Sequence, residues 1–123
     1  MSELFKLIEE KFSEEYNEQQ WTYSLNFNLV FNKKIINNLT ITDYTWKNKK
    51  GRKRITKELI LSIFKEKLNG EILTPEPKKN PNWKRDHYVL KRISFGEEKY
   101  KLVFWFKDGT DNHLWVKNCH QQD

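Results

Sequence analysis

The most regular feature of the chain is an alternation of apolar and polar residues from position 21 to position 31, where every odd position holds a large apolar side chain. Successive side chains of a β-strand point to opposite faces of a sheet, so this pattern predicts a strand with one buried face. The polar segment Asn32-Lys33-Lys34 predicts a turn, and alternation resumes over residues 35–42. We therefore predict a β-hairpin over residues 21–42.

Two other segments show the spacing that is typical of amphipathic helices. The first predicts a helix over residues 3–18, with Ser2 as its N-cap. Its apolar stripe consists of Leu4, Leu7, Ile8, Phe12 and Tyr16. The second predicts a helix over residues 56–69 that ends at the stop signal Asn69-Gly70. Its apolar stripe consists of Leu59, Ile60, Ile63, Phe64 and Leu68.

The last third of the chain predicts three strands joined by short turns. Residues 71–86 contain all three prolines and form an extended, basic connection. Residues 87–120 then show three segments at hairpin spacing, which predicts an antiparallel meander. Its middle segment is apolar on both faces and therefore belongs in the centre of a sheet. We expect helices on one face of this sheet and an open face, flanked by Lys101 and Lys107, that is available for a ligand.

These elements predict a single α+β domain over residues 1–123, in which an N-terminal helix joins a twisted antiparallel sheet of about five strands backed by helices. The chain has no apolar run of the roughly 20 residues that span a bilayer and no basic-then-apolar leader, so we expect a cytoplasmic protein with no membrane partner. One cysteine and three histidines do not make up a structural zinc site. We expect no metal and no cofactor.

The charge distribution adds a candidate function. The net charge of +6 conceals an asymmetry, because residues 1–20 carry −4 and residues 21–123 carry +10. Seven bases and no acid lie between positions 47 and 57, directly after Trp46. Such a density of positive charge favours phosphate binding with release of counterions, and an adjacent indole can stack on an unpaired base. The predicted nucleic-acid contacts are Trp46, Lys47, Lys49, Lys50, Arg52, Lys53 and Trp83. The alternative is a solvated loop.

Other aromatic and histidine residues receive structural interpretations. We interpret Trp105 and Trp115 as packing residues rather than as a stacking platform. His113 and His120 lie at opposite parities of the last predicted strand, so in a regular strand they would point to different faces. His120 is close to the end of the chain, where an imidazole can act as a general acid or base near neutral pH.

Four short segments follow one another in a suggestive order. The first two are Leu39-Thr-Ile-Thr-Asp-Tyr-Thr-Trp-Lys47, which ends a strand in a polar segment, and Arg54-Ile-Thr-Lys-Glu-Leu-Ile60, which opens a helix after the basic run. The other two are the strand segments Tyr100-Lys-Leu-Val-Phe-Trp105 and Trp115-Val-Lys-Asn-Cys-His120. In this order they resemble small toxins of the RelE/BrnT-like group over residues 37–121. The resemblance implies the helix-backed antiparallel sheet of the barnase/EndoU/colicin/RelE fold group.

The resemblance also implies an activity, that of a toxin-like, metal-independent endoribonuclease neutralised by a cognate antitoxin protein. RNA supplies its own nucleophile, the 2′-hydroxyl, so the protein must align it, move protons and stabilise charge on the phosphoryl group. By match of position, the resemblance implies Tyr44, Asn118 and His120 as catalytic residues. On the same hypothesis, Arg54 and Arg92 stabilise the charge on the phosphoryl group. Tyr44 stands where relatives often place a histidine, and a phenol is a poor base unless nearby positive charge stabilises the phenolate.

Two other functions stay open at this point. One is a non-catalytic RNA- or DNA-binding module that uses the same basic segment. The other is an immunity or antitoxin-like protein that binds a partner through its acidic first helix.

Overall fold

The structure is a computed structural model that describes residues 4–46, 55–78, 80–82 and 85–122. Within that part of the chain it contains six strands and one short helical segment. The strands are β1 Phe5–Ser13, β2 Glu18–Phe31, β3 Lys34–Thr42, β4 Tyr88–Phe95, β5 Glu98–Phe106 and β6 His113–Gln122. The helical segment is α1, Lys57–Ile63, which continues as a π-helical turn over Phe64–Leu68. A 3-10 turn, Asp43–Thr45, follows β3.

The six strands form one mixed sheet in the order β1-β2-β3-β6-β5-β4. The predicted hairpin corresponds to β2 and β3, and the predicted meander corresponds to β4, β5 and β6. However, β3 and β6 run parallel, with Asn38 opposite His113 and Ile41 opposite Val116. The expectation of an antiparallel sheet of about five strands is therefore wrong. Parallel neighbours need a crossover connection, and here the chain from β3 to β6 includes α1, β4 and β5.

The N-terminal segment forms an edge strand, so the predicted helix over residues 3–18 is wrong. β1 pairs antiparallel with β2, from Phe5 opposite Leu25 to Ser13 opposite Glu18. The five apolar residues at helical spacing do not form a buried stripe, because their side chains remain between 41% and 66% exposed. The physical reason is that β2 is 14 residues long and β1 provides backbone partners for its outer edge. This long-range ladder overrides the local helical preference.

The helical segment begins where the sequence predicts. Thr56 is its N-cap, and the Oγ1 atom of Thr56 accepts a hydrogen bond of 3.1 Å from the backbone N–H of Leu59. The segment buries Ile60, Ile63 and Phe64 against the sheet. Within the described part of the chain, this short segment provides the only α-helix. The expected α+β fold, with an N-terminal helix and several helices behind the sheet, is therefore wrong.

The core lies between the helical segment and one face of the sheet, the helix face. Phe104 is fully buried at its centre. The ring centroid of Phe104 is 5.2 Å from that of Phe31, 5.5 Å from that of Phe64 and 5.9 Å from that of Tyr88. These contacts join β2, β4, β5 and the helical segment. No described helix covers the opposite face, which we call the open face. Its side chains include Thr22, Thr40, Trp105, His113 and Trp115.

The connection between the helical segment and β4 is attached to the end of β2. The backbone N–H of Gly70 donates a 2.7 Å hydrogen bond to the carbonyl oxygen of Val30. The side-chain amide of Asn32 bonds both backbone groups of Leu73, at 3.1 and 2.7 Å. The first part of the Pro-containing connection is therefore ordered by the sheet. Within the described residues, no helix combines the length and the apolar character that crossing a bilayer requires.

Candidate nucleic-acid interface

Two tryptophans stand side by side on the open face. Trp105 of β5 and Trp115 of β6 are direct partners in the antiparallel ladder. Their neighbours along each strand, such as Phe104 and Val116, are fully buried on the helix face. The alternation of the two strands therefore turns both indoles away from the core, where each remains half-buried.

Arg85 extends this aromatic surface. The Cζ atom of Arg85 lies 4.5 Å from the ring centroid of Trp105, which is a cation–π contact. Arg85 also donates two hydrogen bonds to Asp108, from Nε to Oδ1 at 2.9 Å and from Nη2 to Oδ2 at 2.6 Å. These bonds lower the pKa of Asp108 and raise the pKa of Arg85, because each stabilises the charged form. The pair is solvent-exposed, so its main effect is to hold the guanidinium against the indole.

Two adjoining clefts of about 490 and 620 Å³ cross this part of the open face. Both are lined by Arg85, Trp105 and Lys117, so we treat them as one groove. The groove is lined by Arg85, Val103, Trp105, Lys107, Trp115 and Lys117.

One wall of the groove is acidic. The turn between β1 and β2 contributes Glu15 and Tyr16 to the first cleft, and Glu18 at the start of β2 lines it as well. The bases Arg85 and Lys117 line the same cleft. A polyanion in the groove is therefore expected to keep its backbone near these bases and away from the turn.

A β-bulge in β6 shifts the alternation of the second half of this strand, so that Asn118 and His120 point to the open face. Trp115 pairs with Trp105. Val116 pairs with Phe104 and Asn118 pairs with Val103, which leaves Lys117 as an extra residue between these last two pairs. The bulge therefore brings the side chain of Lys117 into the groove and puts Asn118 beside it.

The same bulge changes the position of the last histidine. His120 is the partner of Lys101, and the next pair, Leu102 with Cys119, is fully buried on the helix face. His113 lies beside Trp115 with its ring centroid 6.5 Å from the indole, on the open face. Both histidines therefore point to the same face. The expectation from strand parity is wrong, because it assumed a strand without a bulge.

Three of the five predicted catalytic residues lie on or next to the open face. Asn118 is at the margin of the groove, and His120 lies two residues further along β6. Tyr44 is in the 3-10 turn after β3, and its ring centroid is 3.6 Å from the Nζ atom of Lys117. The structure thus connects Tyr44 to the groove through Lys117.

Of the two predicted arginines, the structure describes only Arg92, and Arg92 is not part of this group. Arg92 is an exposed residue of the edge strand β4, with a φ of 54° at an irregularity in its pairing with β5. Its backbone N–H donates a 2.7 Å hydrogen bond to the side-chain oxygen of Gln122. Arg54 lies outside the described residues.

The predicted nucleic-acid contacts are mostly outside the described residues. These are Lys47, Lys49, Lys50, Arg52, Lys53 and Trp83. Trp46 is described, and its ring stacks on that of Trp21 with centroids 5.7 Å apart. Trp21 pairs with the buried Ile41, so it lies on the helix face. Trp46 is therefore occupied by an intramolecular stack away from the groove.

Sequence reasoning missed the aromatic part of the groove. The sequence pattern predicts packing roles for Trp105 and Trp115, and it places Arg85 within the basic connection over residues 71–86 without a specific role. A usable signal was present, because Trp105 has the opposite parity to Leu102 and Phe104 in a strand with one face expected to be open.

In the part of the chain that the structure describes, no three His, Cys, Asp or Glu side chains are grouped so that they could hold a metal ion. No protein-family model matches the chain, and neither a curated protein nor a solved structure shows significant similarity to it.

Proposed function

We propose that the groove binds single-stranded RNA. The observation that carries this proposal is the pair of adjacent indoles, Trp105 and Trp115, on the open face, which also presents Arg85, Lys107 and Lys117. A core position would bury such indoles completely, whereas here both are half-buried and line a cleft.

The indoles suit unpaired bases. Every base has a π-face, so aromatic side chains bind single strands with little dependence on sequence. The bases of a duplex are stacked on one another and do not offer these faces to a flat protein surface. The Trp pair therefore favours a single strand over a duplex.

The positive groups suit a phosphate backbone. Arg85, Lys107 and Lys117 lie around the indoles, and residues 21–123 carry a formal charge of +10. Each ammonium or guanidinium that neutralises a phosphate releases a counterion, which makes binding favourable and dependent on salt. Gln20 also lines the groove, and its side-chain amide can hydrogen-bond the 2′-hydroxyl that distinguishes RNA from DNA.

Trp105→Ala is expected to weaken binding of a labelled single-stranded RNA by roughly tenfold, because the variant loses one stacking surface. The measurement is fluorescence anisotropy at several salt concentrations. The wild-type protein should show an affinity that falls steeply as salt increases.

The matched control is Trp21→Ala, which removes an indole from the helix face. It should bind RNA as the wild type does, provided that circular dichroism shows that both variants are folded. Equal binding by wild type and Trp105→Ala, or no binding by the wild type even in dilute buffer, would refute the proposal. Stronger binding to single-stranded DNA of the same sequence would remove RNA as the preferred ligand.

RNA cleavage is a second candidate function, favoured by the bulge that puts Lys117, Asn118 and His120 on one face. In such a reaction the 2′-oxygen attacks phosphorus and the bond to the 5′-oxygen breaks. His120 would accept the proton of the 2′-hydroxyl or supply one to the departing 5′-oxygen. Lys117 would stabilise the added negative charge, and Asn118 would hydrogen-bond the phosphoryl group.

His120→Gln is expected to slow RNA cleavage by about a hundredfold while RNA affinity changes little, since the amide keeps the polarity of the side chain but cannot accept or release a proton near neutral pH. Products are resolved on denaturing gels, and wild-type fragments should end in a 2′,3′-cyclic phosphate. Cleavage at the wild-type rate by the variant would exclude His120. Binding without fragments would leave the chain as a binding module.

A toxin role adds one further expectation, namely growth arrest on expression that His120→Gln relieves. A cognate antitoxin would have to cover the groove. This partner stays a prediction.

A further inference from the structure

A smaller cleft of about 250 Å³ adjoins the groove on the open face, where β1, β2 and β3 meet the start of β6. We call it the small cleft. It shares Lys11, Gln20, Lys107 and Trp115 with the groove, so a strand lying in the groove passes its opening. Its other polar walls are Glu9, Thr22, Asn38 and His113.

A buried row of hydrogen bonds underlies the small cleft. The Oγ1 atoms of Thr22 and Thr40 are 2.7 Å apart, and the Oγ1 atom of Thr40 is 2.7 Å from Nε2 of His113. All three side chains are at least nine-tenths buried. Burying polar groups costs free energy unless they are hydrogen-bonded, and this row meets that condition across three strands. It fixes the His113 ring, and Thr22 and His113 both line the cleft.

The size of the small cleft selects a small ligand. Pockets for drug-sized molecules measure about 300–1,000 Å³, so this cleft accommodates one planar ring system rather than a whole nucleotide. Trp115 offers an aromatic wall, and Lys11 and Lys107 lie at the boundary with the groove. A base could enter while its phosphates remain in the groove.

The polar walls select a type of base. Glu9 carries a carboxylate, which only accepts hydrogen bonds, and the amide oxygens of Gln20 and Asn38 are further acceptors. Adenine, cytosine and guanine carry an exocyclic amino group that donates hydrogen bonds, whereas uracil carries none. Uracil offers the Glu9 carboxylate a single N3–H, flanked by two carbonyl oxygens that the carboxylate repels, whereas an exocyclic amino group offers two N–H donors. A base with an amino group therefore matches the charged acceptor in the cleft better than uracil does.

We propose that the small cleft is a nucleobase subsite that prefers bases with an exocyclic amino group over uracil. This inference rests on the proposed binding of single-stranded RNA in the groove. The subsite supplies the sequence preference, and the groove supplies the general affinity.

The test compares a uridine tract with the same tract carrying one central adenosine, cytidine or guanosine, by fluorescence anisotropy. Each substituted tract should bind the wild-type protein about five- to tenfold more tightly than the uridine tract. Glu9→Gln should remove most of this preference and leave affinity for the uridine tract within about twofold. Glu9 is exposed, so the variant should fold.

The matched control is Glu10→Gln. Glu10 is the next residue of β1, and its carboxylate accepts a 3.2 Å hydrogen bond from Nε1 of Trp21 on the helix face. The Glu10→Gln variant should keep the wild-type preference for bases with an exocyclic amino group over uracil. Binding of all four tracts with equal affinity would refute the proposed nucleobase subsite, and so would a base preference that Glu9→Gln leaves unchanged. Either result would leave the proposed RNA binding in the groove intact. Absence of binding to every tract would overturn both.

Discussion

Phe104→Ala is expected to lower the free energy of unfolding by about 3–5 kcal/mol, the largest effect on stability that we predict for a single substitution. The Phe104 ring is fully buried and contacts Phe31 of β2, Phe64 of the helical segment and Tyr88 of β4. Its removal leaves a cavity where these elements meet. Since small domains have only about 5–15 kcal/mol of stability, urea unfolding followed by circular dichroism should show a greatly lowered midpoint.

The adjacent residue provides the control. Val103 follows the opposite parity of β5 and is half-buried in the wall of the groove, so Val103→Ala should cost about 1 kcal/mol or less. If Phe104→Ala does not fold, Phe104→Leu should still fold and lose about 1–2 kcal/mol. A cost for Phe104→Ala no larger than that for Val103→Ala would contradict the position of the core.

The sequence predicts the strands whose apolar patterns are complete within the segment itself. From Trp21 to Phe31 alternation fixes both the strand and the face that packs on the core, whereas residues 100–106 are apolar on both faces and indicate a central strand. The N-cap Thr56 is similarly local, because its side chain bonds a backbone N–H three residues later. Local chemistry was sufficient for these features.

The N-terminal strand shows where local patterns fail. Leu4, Leu7, Ile8, Phe12 and Tyr16 have helical spacing, and no period-two pattern competes with it. The conformation of this segment is decided by its pairing with the edge of β2, a strand formed by later residues of the chain. The result is an edge strand whose apolar side chains remain exposed, so spacing alone could not predict it. The alternative of an antitoxin-like protein assumed that the acidic N-terminal segment is a helix. This segment is a strand, so that helix is not available for binding a partner.

The parallel pairing of β3 with β6 and the bulge at Lys117 also depend on distant partners. Nothing in residues 34–42 indicates that their neighbour is a strand more than 70 positions later. The bulge depends on the fit between β5 and β6, and it reversed the predicted orientation of His120. The open face was predicted, whereas the groove on it required the pairing of Trp105 with Trp115.

Acidification should destabilise the protein through His113. Burial, with a further contribution from Lys107 and against the opposing effect of Glu9, lowers the pKa of His113 from 6.5 to about 4. Between these values the unfolded chain binds a proton that the folded protein does not. The stabilising contribution is therefore complete above about pH 6.5 and is lost as the pH falls towards 4. Since each pH unit is worth about 1.4 kcal/mol, the loss should reach about 3 kcal/mol.

His113→Gln separates this effect from the titration of carboxylates, which also weakens proteins in acid. Glutamine does not titrate, and its amide can still hydrogen-bond the hydroxyl of Thr40, which is 2.7 Å from Nε2 of His113 in the wild type. Urea unfolding of both proteins at a series of pH values from 7 to 4 is the measurement. The difference in unfolding free energy between wild type and variant should shrink, or change sign in favour of the variant, as the pH falls. Parallel curves for the two proteins would mean that His113 binds its proton equally well in the folded and unfolded states, and the buried row from Thr22 to His113 would then not restrict protonation at all.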